Sequence, residues 1–367
     1  MCGGHSLRTI GAAFTGRDNR FTLIRLALAS AVLLEHAVIV TQGPLPPPPM
    51  AINAWSISYA AVNGFFVLSG FLIANSLEHR ADPFTYAASR ILRLMPALVF
   101  LSAIAVFFVG PVATGLSQAA YWTAPQTWTY PFQVLAFLDT SQGPAGIFPD
   151  HPWRGEFSAT LWTLRYEVIA YIAAALLFFT PLPWGRVAAL VYFAIANLAY
   201  LLIQTTWPEA PALFTSAARL SAAFTLGMVV YLWRERLPVL PWAAIAALPL
   251  WLFLGEAPLA ELFLNLAIGS LLFWVAFARF GGAPTWSAVP DWSYGIYIWH
   301  YPIMQLVLLA EPEADPWTVG AFTIPATAAI AAISWYWIEK PSLGQKSLLG
   351  ALLREPRTIF KLMHRIR

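Results

Sequence analysis

Charge is what this sequence has least of. Only 11% of its 367 residues are Asp, Glu, Lys or Arg, against about 25% in a typical soluble domain. Hydrophobic residues make up 59%, too many for a water-facing surface to hide, so the composition points to a polytopic membrane protein. Cysteine is nearly absent: Cys2 stands alone, which excludes a disulfide framework and a cysteine-based metal site. No metal is expected. No removable signal peptide is visible, and none is expected. The first twenty residues are polar and basic (Arg8, Arg17, Arg20), and the apolar stretch behind them offers no small-residue cleavage site. The first span is therefore expected to be an uncleaved anchor. No internal repeat is visible.

What the chain does have is aromatic and apolar runs. Aromatics reach 15%, with 17 Trp, as suits rings that favour membrane–water interfaces. A bilayer core about 30 Å thick needs roughly 20 apolar residues per spanning helix. Ten segments meet that test: roughly 21–41, 56–78, 93–110, 159–179, 186–204, 212–233, 238–254, 258–278, 290–310 and 318–338. Lysine and arginine set their direction, since these residues favour the cytoplasmic side. With the N-terminus inside, the outer loops hold Arg154 alone and the spans hold Arg25, Arg165 and Arg219. All other Lys and Arg fall inside. The expected fold is an all-α integral membrane protein, a bundle of about ten transmembrane helices with both termini cytoplasmic. Its parts are a cytoplasmic segment (1–20), the transmembrane region (21–340) and a basic amphipathic cytoplasmic tail (341–367) that suits the anionic inner leaflet. The outer loop of about 111–158 is long enough to be functional or to contain short helices.

Several ionisable residues lie where lipid is expected. Each costs about 2.5–3.5 kcal/mol near a helix centre on insertion scales, so Arg25, Glu35, Arg165, Glu167 and Arg219 must pair, face water or become neutral. Arg25 and His36 are eleven residues apart. That is three turns plus about 20°, which puts both on one face, roughly 16 Å apart along the axis. Glu35 points about 100° away from His36 and offers a partner to Arg165 or Arg219. In the ninth span, Ser293, Tyr297 and His300 form one polar stripe at i, i+4 and i+7. Thr163 and Glu167 share a face of the fourth. Each pattern also fits helices glued by a buried polar pair. Arg90 and Arg93, at i and i+3 before the third span, form a two-pronged phosphate site or an ordinary positive-inside anchor. Gly64, Ser69 and Gly70 suit close helix packing.

Taken in order, these segments resemble the acyltransferase family 3 membrane proteins, which O-acetylate cell-surface glycans. Arg25 and His36 are similar to the family's R-x(10)-H. FFVLSGFLI stands at 65–73, Arg90 and Arg93 resemble its RxxR ahead of Pro96, and LWTLRYE at 161–167 resembles LWSLxxEE. SYGIYIWHYPI at 293–303 and WIEKP at 337–341 resemble its closing motifs. The sequence departs at Val168, which replaces the second acid of the pair, and at Glu35 and Arg165, where the family is usually uncharged. No counterpart of the SGNH esterase-like domain that some relatives carry is expected.

The resemblance implies an O-acyltransferase. Its donor would be cytoplasmic acetyl-CoA or another acyl-CoA. Its acceptor would be a hydroxyl of an extracytoplasmic glycan, such as an exopolysaccharide, or of a lipid-linked sugar, at a bacterial cytoplasmic (inner) membrane. On that reading Arg90 and Arg93 bind the CoA phosphates, and Arg25 orients the donor or stabilises charge along the path. His36, whose imidazole titrates near neutral pH, is the general base. His300 and Tyr297 orient His36 or the thioester carbonyl, and Glu167 holds a histidine tautomer or a sugar hydroxyl. Membrane lipids are expected partners. Nucleic acid is not, since the basic residues lie along the inner membrane face. Two rivals use the same residues: a proton-coupled transporter or flippase of a glycan precursor, for which in-membrane Arg, Glu and His form a proton relay, and a scaffold in which every polar residue merely pairs.

Overall fold

A chain this apolar must satisfy its backbone within each segment, and only helices do so in a single hydrophobic run. The computed structural model describes residues 8–15, 19–44, 55–79, 82–278 and 289–355. Every regular element among them is helical. Helices occupy the ten expected positions: α1 (Phe21–Gln42), α2 (Ile57–His79), α3 (Pro83–Ile104), α4 (Trp162–Phe179), α5 (Arg186–Thr206), α6 (Ala212–Leu232), α7 (Trp242–Leu254), α8 (Ala260–Phe277), α9 (Ser293–Ala310) and α10 (Pro316–Ser334).

Eight are long and apolar enough to cross a membrane, fewer than the ten expected. The other two fall short for different reasons. α7 has 13 residues, about 20 Å at 1.5 Å per residue. α9 has 18, but His300, Gln305 and its tyrosines dilute its apolar character.

α3 also differs from expectation. It starts at Pro83 rather than near 93, so Arg90 and Arg93 lie inside the helix. The start is set chemically. Asp82 accepts the Thr85 N–H at 2.9 Å as the N-cap, and Pro83 suits the first turn, where its missing N–H has no partner to lose. α3 then runs through a π-helical turn, Ala105–Val109, to Ala113. The Tyr121 hydroxyl donates to the Val106 carbonyl at 2.8 Å, and a side chain at Gly110 would overlap that hydroxyl. The outer loop contains short helices, Gln118–Thr123 and Pro125–Leu135. Beyond them Phe148 is buried with a φ of 46°, a strained conformation for a bulky residue that only firm surroundings maintain.

The chain divides into two compact units. The first comprises Met1–Val32, Pro47–Glu78 and Ile169–Asp291. Here α2 and α6 approach backbone to backbone. A Cβ on Gly70 would overlap the Phe224 carbonyl, and one on Gly227 the Val67 carbonyl. Phe14, Phe21, Phe71, Phe273 and Phe277 pack around that contact, mostly edge to face. Arg20 donates to the carbonyls of Val275 and Ala278 at 3.2 and 2.7 Å, which satisfies acceptors at the end of α8 that have no helical partner.

A polar knot joins α2, α6 and α8 in the same unit. Glu261 accepts from the Tyr59 hydroxyl (2.8 Å) and from the side-chain amides of Asn63 (2.7 Å) and Asn265 (2.9 Å). The Arg219 guanidinium lies 3.7 Å from the Tyr59 ring centroid. Glu261, Asn63 and Asn265 are almost fully buried.

The second unit comprises Leu33–Pro46, His79–Val168 and Trp292–Arg367. α9 packs on α10 so closely that a Cβ on Gly295 would stand 2.9 Å from Ala331. Leu33, Ala37, Val40, Tyr301, Met304, Leu308 and Val319 form its core. The described part of the tail forms α11 (Lys346–Arg354). Gly350 lies against Thr85, and Arg354 pairs with Asp82 at 2.7 Å. Hydrogen bonding by Thr85 and the Arg354 charge hold the Asp82 carboxyl down to about 2. The rest of the expected amphipathic tail, from residue 356, lies outside the described residues, as do residues 1–7 of the N-terminal segment.

The packing yields two expectations for stability. Gly70→Ala forces α2 off α6 and is expected to cost about 1–3 kcal/mol, the usual penalty of overpacking. Gly320→Ala meets open space and is expected to cost nothing. Thermal unfolding of both variants in detergent checks the contrast. Glu261→Ala strands the Tyr59, Asn63 and Asn265 donors together and is expected to lower the unfolding midpoint more than Glu261→Gln, which keeps an acceptor in place.

Candidate active site

The polar stripe of α9 lies in the second unit, and its geometry follows from helix periodicity. The His300 side chain folds back along the helix, so that Nδ1 lies 2.8 Å from the Ile296 carbonyl. A carbonyl can only accept, so Nδ1 carries the proton and Nε2 holds the lone pair. His36 on α1 brings its Nδ1 to 2.9 Å from that Nε2. His36 Nδ1–H must therefore be the donor, which leaves the lone pair of His36 on Nε2. Backbone, His300 and His36 form one directed chain that fixes both tautomers by hydrogen bonding. The rings stand 5.1 Å apart at 32°.

Two tyrosines flank the pair. Tyr301 presents its ring to His36 at 5.6 Å and 85°. Its hydroxyl donates to Glu156 in the outer loop at 3.1 Å. Tyr297 shares a hydrogen bond of 2.8 Å with Thr163 on α4, and its ring centroid lies 6.3 Å from that of His300. Glu167 stands one turn along the same face of α4 from Thr163, half-buried. Burial pushes the Glu156 carboxyl up to about 7, and the Tyr301 hydrogen bond opposes that rise.

The arginines take specific partners. Arg93 reaches Glu339 at 3.6 Å and lies over the Tyr294 ring at 5.6 Å. The Ser334 hydroxyl donates to the same Glu339 at 2.9 Å. Arg90 donates from Nε to the Ser89 hydroxyl at 3.2 Å. In the first unit Arg25 pairs with Asp291 at 2.9 Å. Glu35 is fully buried. The arginines expected to serve it find other contacts: Arg165 donates to the Leu138 carbonyl at 2.6 Å, and Arg219 rests on Tyr59. Among the described residues no three His, Cys, Asp or Glu side chains gather as metal ligands would.

The structure thus brings together His36, His300 and Tyr301 in one cluster, with Tyr297 and Thr163 alongside. Sequence reasoning missed Tyr301, Glu156, Asp291 and Gln305 as partners. Glu156 lies in the outer loop, where an acid costs nothing and raises no flag, and Asp291 stands at the very start of the ninth expected span, where the chain enters the membrane. Glu261 carries a sequence signal of its own: an acid with Asn265 one turn later, inside the eighth span.

Comparison with known proteins now bears on this geometry. A model of the acyltransferase domain matches residues 18–336. Nodulation protein 10 of Rhizobium leguminosarum bv. viciae is 26% identical over 371 residues, which cover 92% of this chain and 96% of that protein. An O-acetyl transferase of Shigella phage Sf6 is 24% identical over 340 residues, covering 90% and 98% respectively. No solved structure matches significantly. The match spans nearly the whole chain and includes every residue of the histidine cluster, so the chain belongs to acyltransferase family 3.

Proposed function

We propose that this protein transfers an acyl group, in the first instance acetyl, from cytoplasmic acyl-CoA to a hydroxyl of a glycan or lipid-linked sugar outside a bacterial cytoplasmic membrane. One observation carries the reading: His36 is held by His300 with its Nε2 lone pair available. A phage O-acetyl transferase among the relatives supports ester formation as the reaction.

The chemistry balances on the imidazole. The acceptor O–H proton passes to His36 Nε2 as the oxygen attacks the thioester carbonyl. A C–O bond forms, the C–S bond breaks, and the leaving thiolate takes up the proton as CoA–SH. His300 keeps the His36 ring in the tautomer that can accept. The backbone carbonyl already fixes that tautomer, so the role assigned to Glu167 is to bind a sugar hydroxyl.

Arg90 and Arg93 are assigned to the donor's phosphates, with Glu339 holding Arg93 in place. Arg25, steadied by Asp291, orients the donor. The basic residues clustered at one set of helix ends support ten crossings, with α7 and α9 as the two that hydropathy alone does not carry. Both termini are then cytoplasmic.

The test is acyl transfer from labelled acetyl-CoA to a lipid-linked sugar in reconstituted vesicles. His36→Ala is expected to lose 10²- to 10⁴-fold, the usual contribution of a positioned general base. Folding should be retained, as judged by size exclusion. His300→Gln keeps an acceptor for His36 Nδ1–H and is expected to retain more activity than His300→Ala. Near-normal activity of His36→Ala would overturn the assignment, and sugar movement across the membrane without CoA release would replace transfer by transport.

A further inference from the structure

Residues 151–156 of the outer loop are fastened to both helices that carry the histidines. The Trp153 indole donates to the Ile39 carbonyl on α1 at 2.9 Å, nearly one turn beyond His36. On α9 the fully buried Gln305 donates to the carbonyls of Glu156 and Trp153 at 2.8 and 3.3 Å. Its side-chain oxygen lies 2.8 Å from His151 Nδ1. Because Gln305 spends its N–H groups on carbonyls, His151 is the donor there. These bonds are enough to seat the loop.

The Glu156 carboxyl adds something that anchoring does not require. It accepts from Tyr301, the residue after His300, whose ring edges against His36. We infer that Glu156 is a positioning residue for the acyl-transfer reaction, acting through the Tyr301 hydroxyl on the seating of that ring against His36. The inference rests on the proposed role of His36.

The groups that face this carboxyl are Tyr301 from α9 and Tyr130 from the Pro125–Leu135 helix. Arg154 on the same segment is exposed. With burial pushing the carboxyl up to about 7, Glu156 changes charge across the neutral range. Ionised, it accepts a charge-assisted hydrogen bond, which is roughly twice as strong as a neutral one. Tyr301 is then held more firmly above that pH than below it.

The experiment measures kcat/KM for the acceptor sugar from pH 5.5 to 8.5, with the full chain in vesicles, for wild type, Glu156→Gln, Glu156→Ala, Tyr301→Phe and the Ala/Phe double variant. Glu156→Gln keeps an acceptor but cannot ionise. It is expected to match wild type at the acid end and to fall several-fold behind by pH 8. Tyr301→Phe and Glu156→Ala are each expected to lose about tenfold, and the double variant no more than either, because residues acting through one contact are not additive. KM for acetyl-CoA should stay unchanged. A constant ratio of wild type to Glu156→Gln across the pH range, or multiplying losses in the double variant, would overturn the inference. His36→Ala runs in parallel: if it stays active, the parent reading has failed, whereas an inactive His36→Ala beside unaffected Glu156 variants sinks this inference alone.

Discussion

Hydrocarbon offers no hydrogen bonds, and that cost governs where each polar side chain of this protein can rest. A buried carboxylate or guanidinium without partners would forfeit several kcal/mol, a large part of an ordinary domain's stability. The structure answers by matching groups from distant parts of the chain. Arg93 on α3 meets Glu339 beyond α10, Arg25 on α1 meets Asp291 ahead of α9, and Glu261 gathers donors from α2 and α8. Apolar packing alone would tolerate many arrangements of greasy helices. Matched polar groups tolerate few, because a shifted helix leaves both partners unsatisfied.

On the proposed mechanism the histidine pair applies the same economy to chemistry. In water-soluble enzymes a carboxylate commonly orients a basic histidine. Between spanning helices that carboxylate would be an expensive charge. Here a neutral imidazole does the orienting, and a backbone carbonyl orients that imidazole in turn. The Glu156 carboxyl sits at the cluster's loop-facing edge and reaches it through a tyrosine. The outer loop is thus part of the site: it joins α1 and α9 through Trp153 and Gln305.

Much of the fold was legible from hydropathy, since the ten helix positions follow from runs of apolar residues. Where the expectation slipped, the reason is physical. The start of α3 was placed late because Asp82, Pro83, Arg90 and Arg93 lower hydropathy without interrupting the helix. α9 reads poorly as a span because its polar residues face protein rather than lipid. His36, His300 and Tyr297 were legible because a polar residue inside an apolar helix stands out. Tyr301, its partner Glu156 and the Arg25 partner Asp291 were not, since a tyrosine in an aromatic-rich helix and an acid in a loop or at a span's edge look ordinary.

By itself, then, the sequence determined which segments become helices and which side chains are too costly to lie idle. Those are properties of single segments, set by local transfer free energies and helical periodicity. Tertiary structure decided the pairings: His36 with His300, Arg93 with Glu339, Arg25 with Asp291, and Glu156 with Tyr301. Each joins residues far apart in the chain, and a hydrogen bond depends on distances of a few tenths of an ångström that only the packed helices impose.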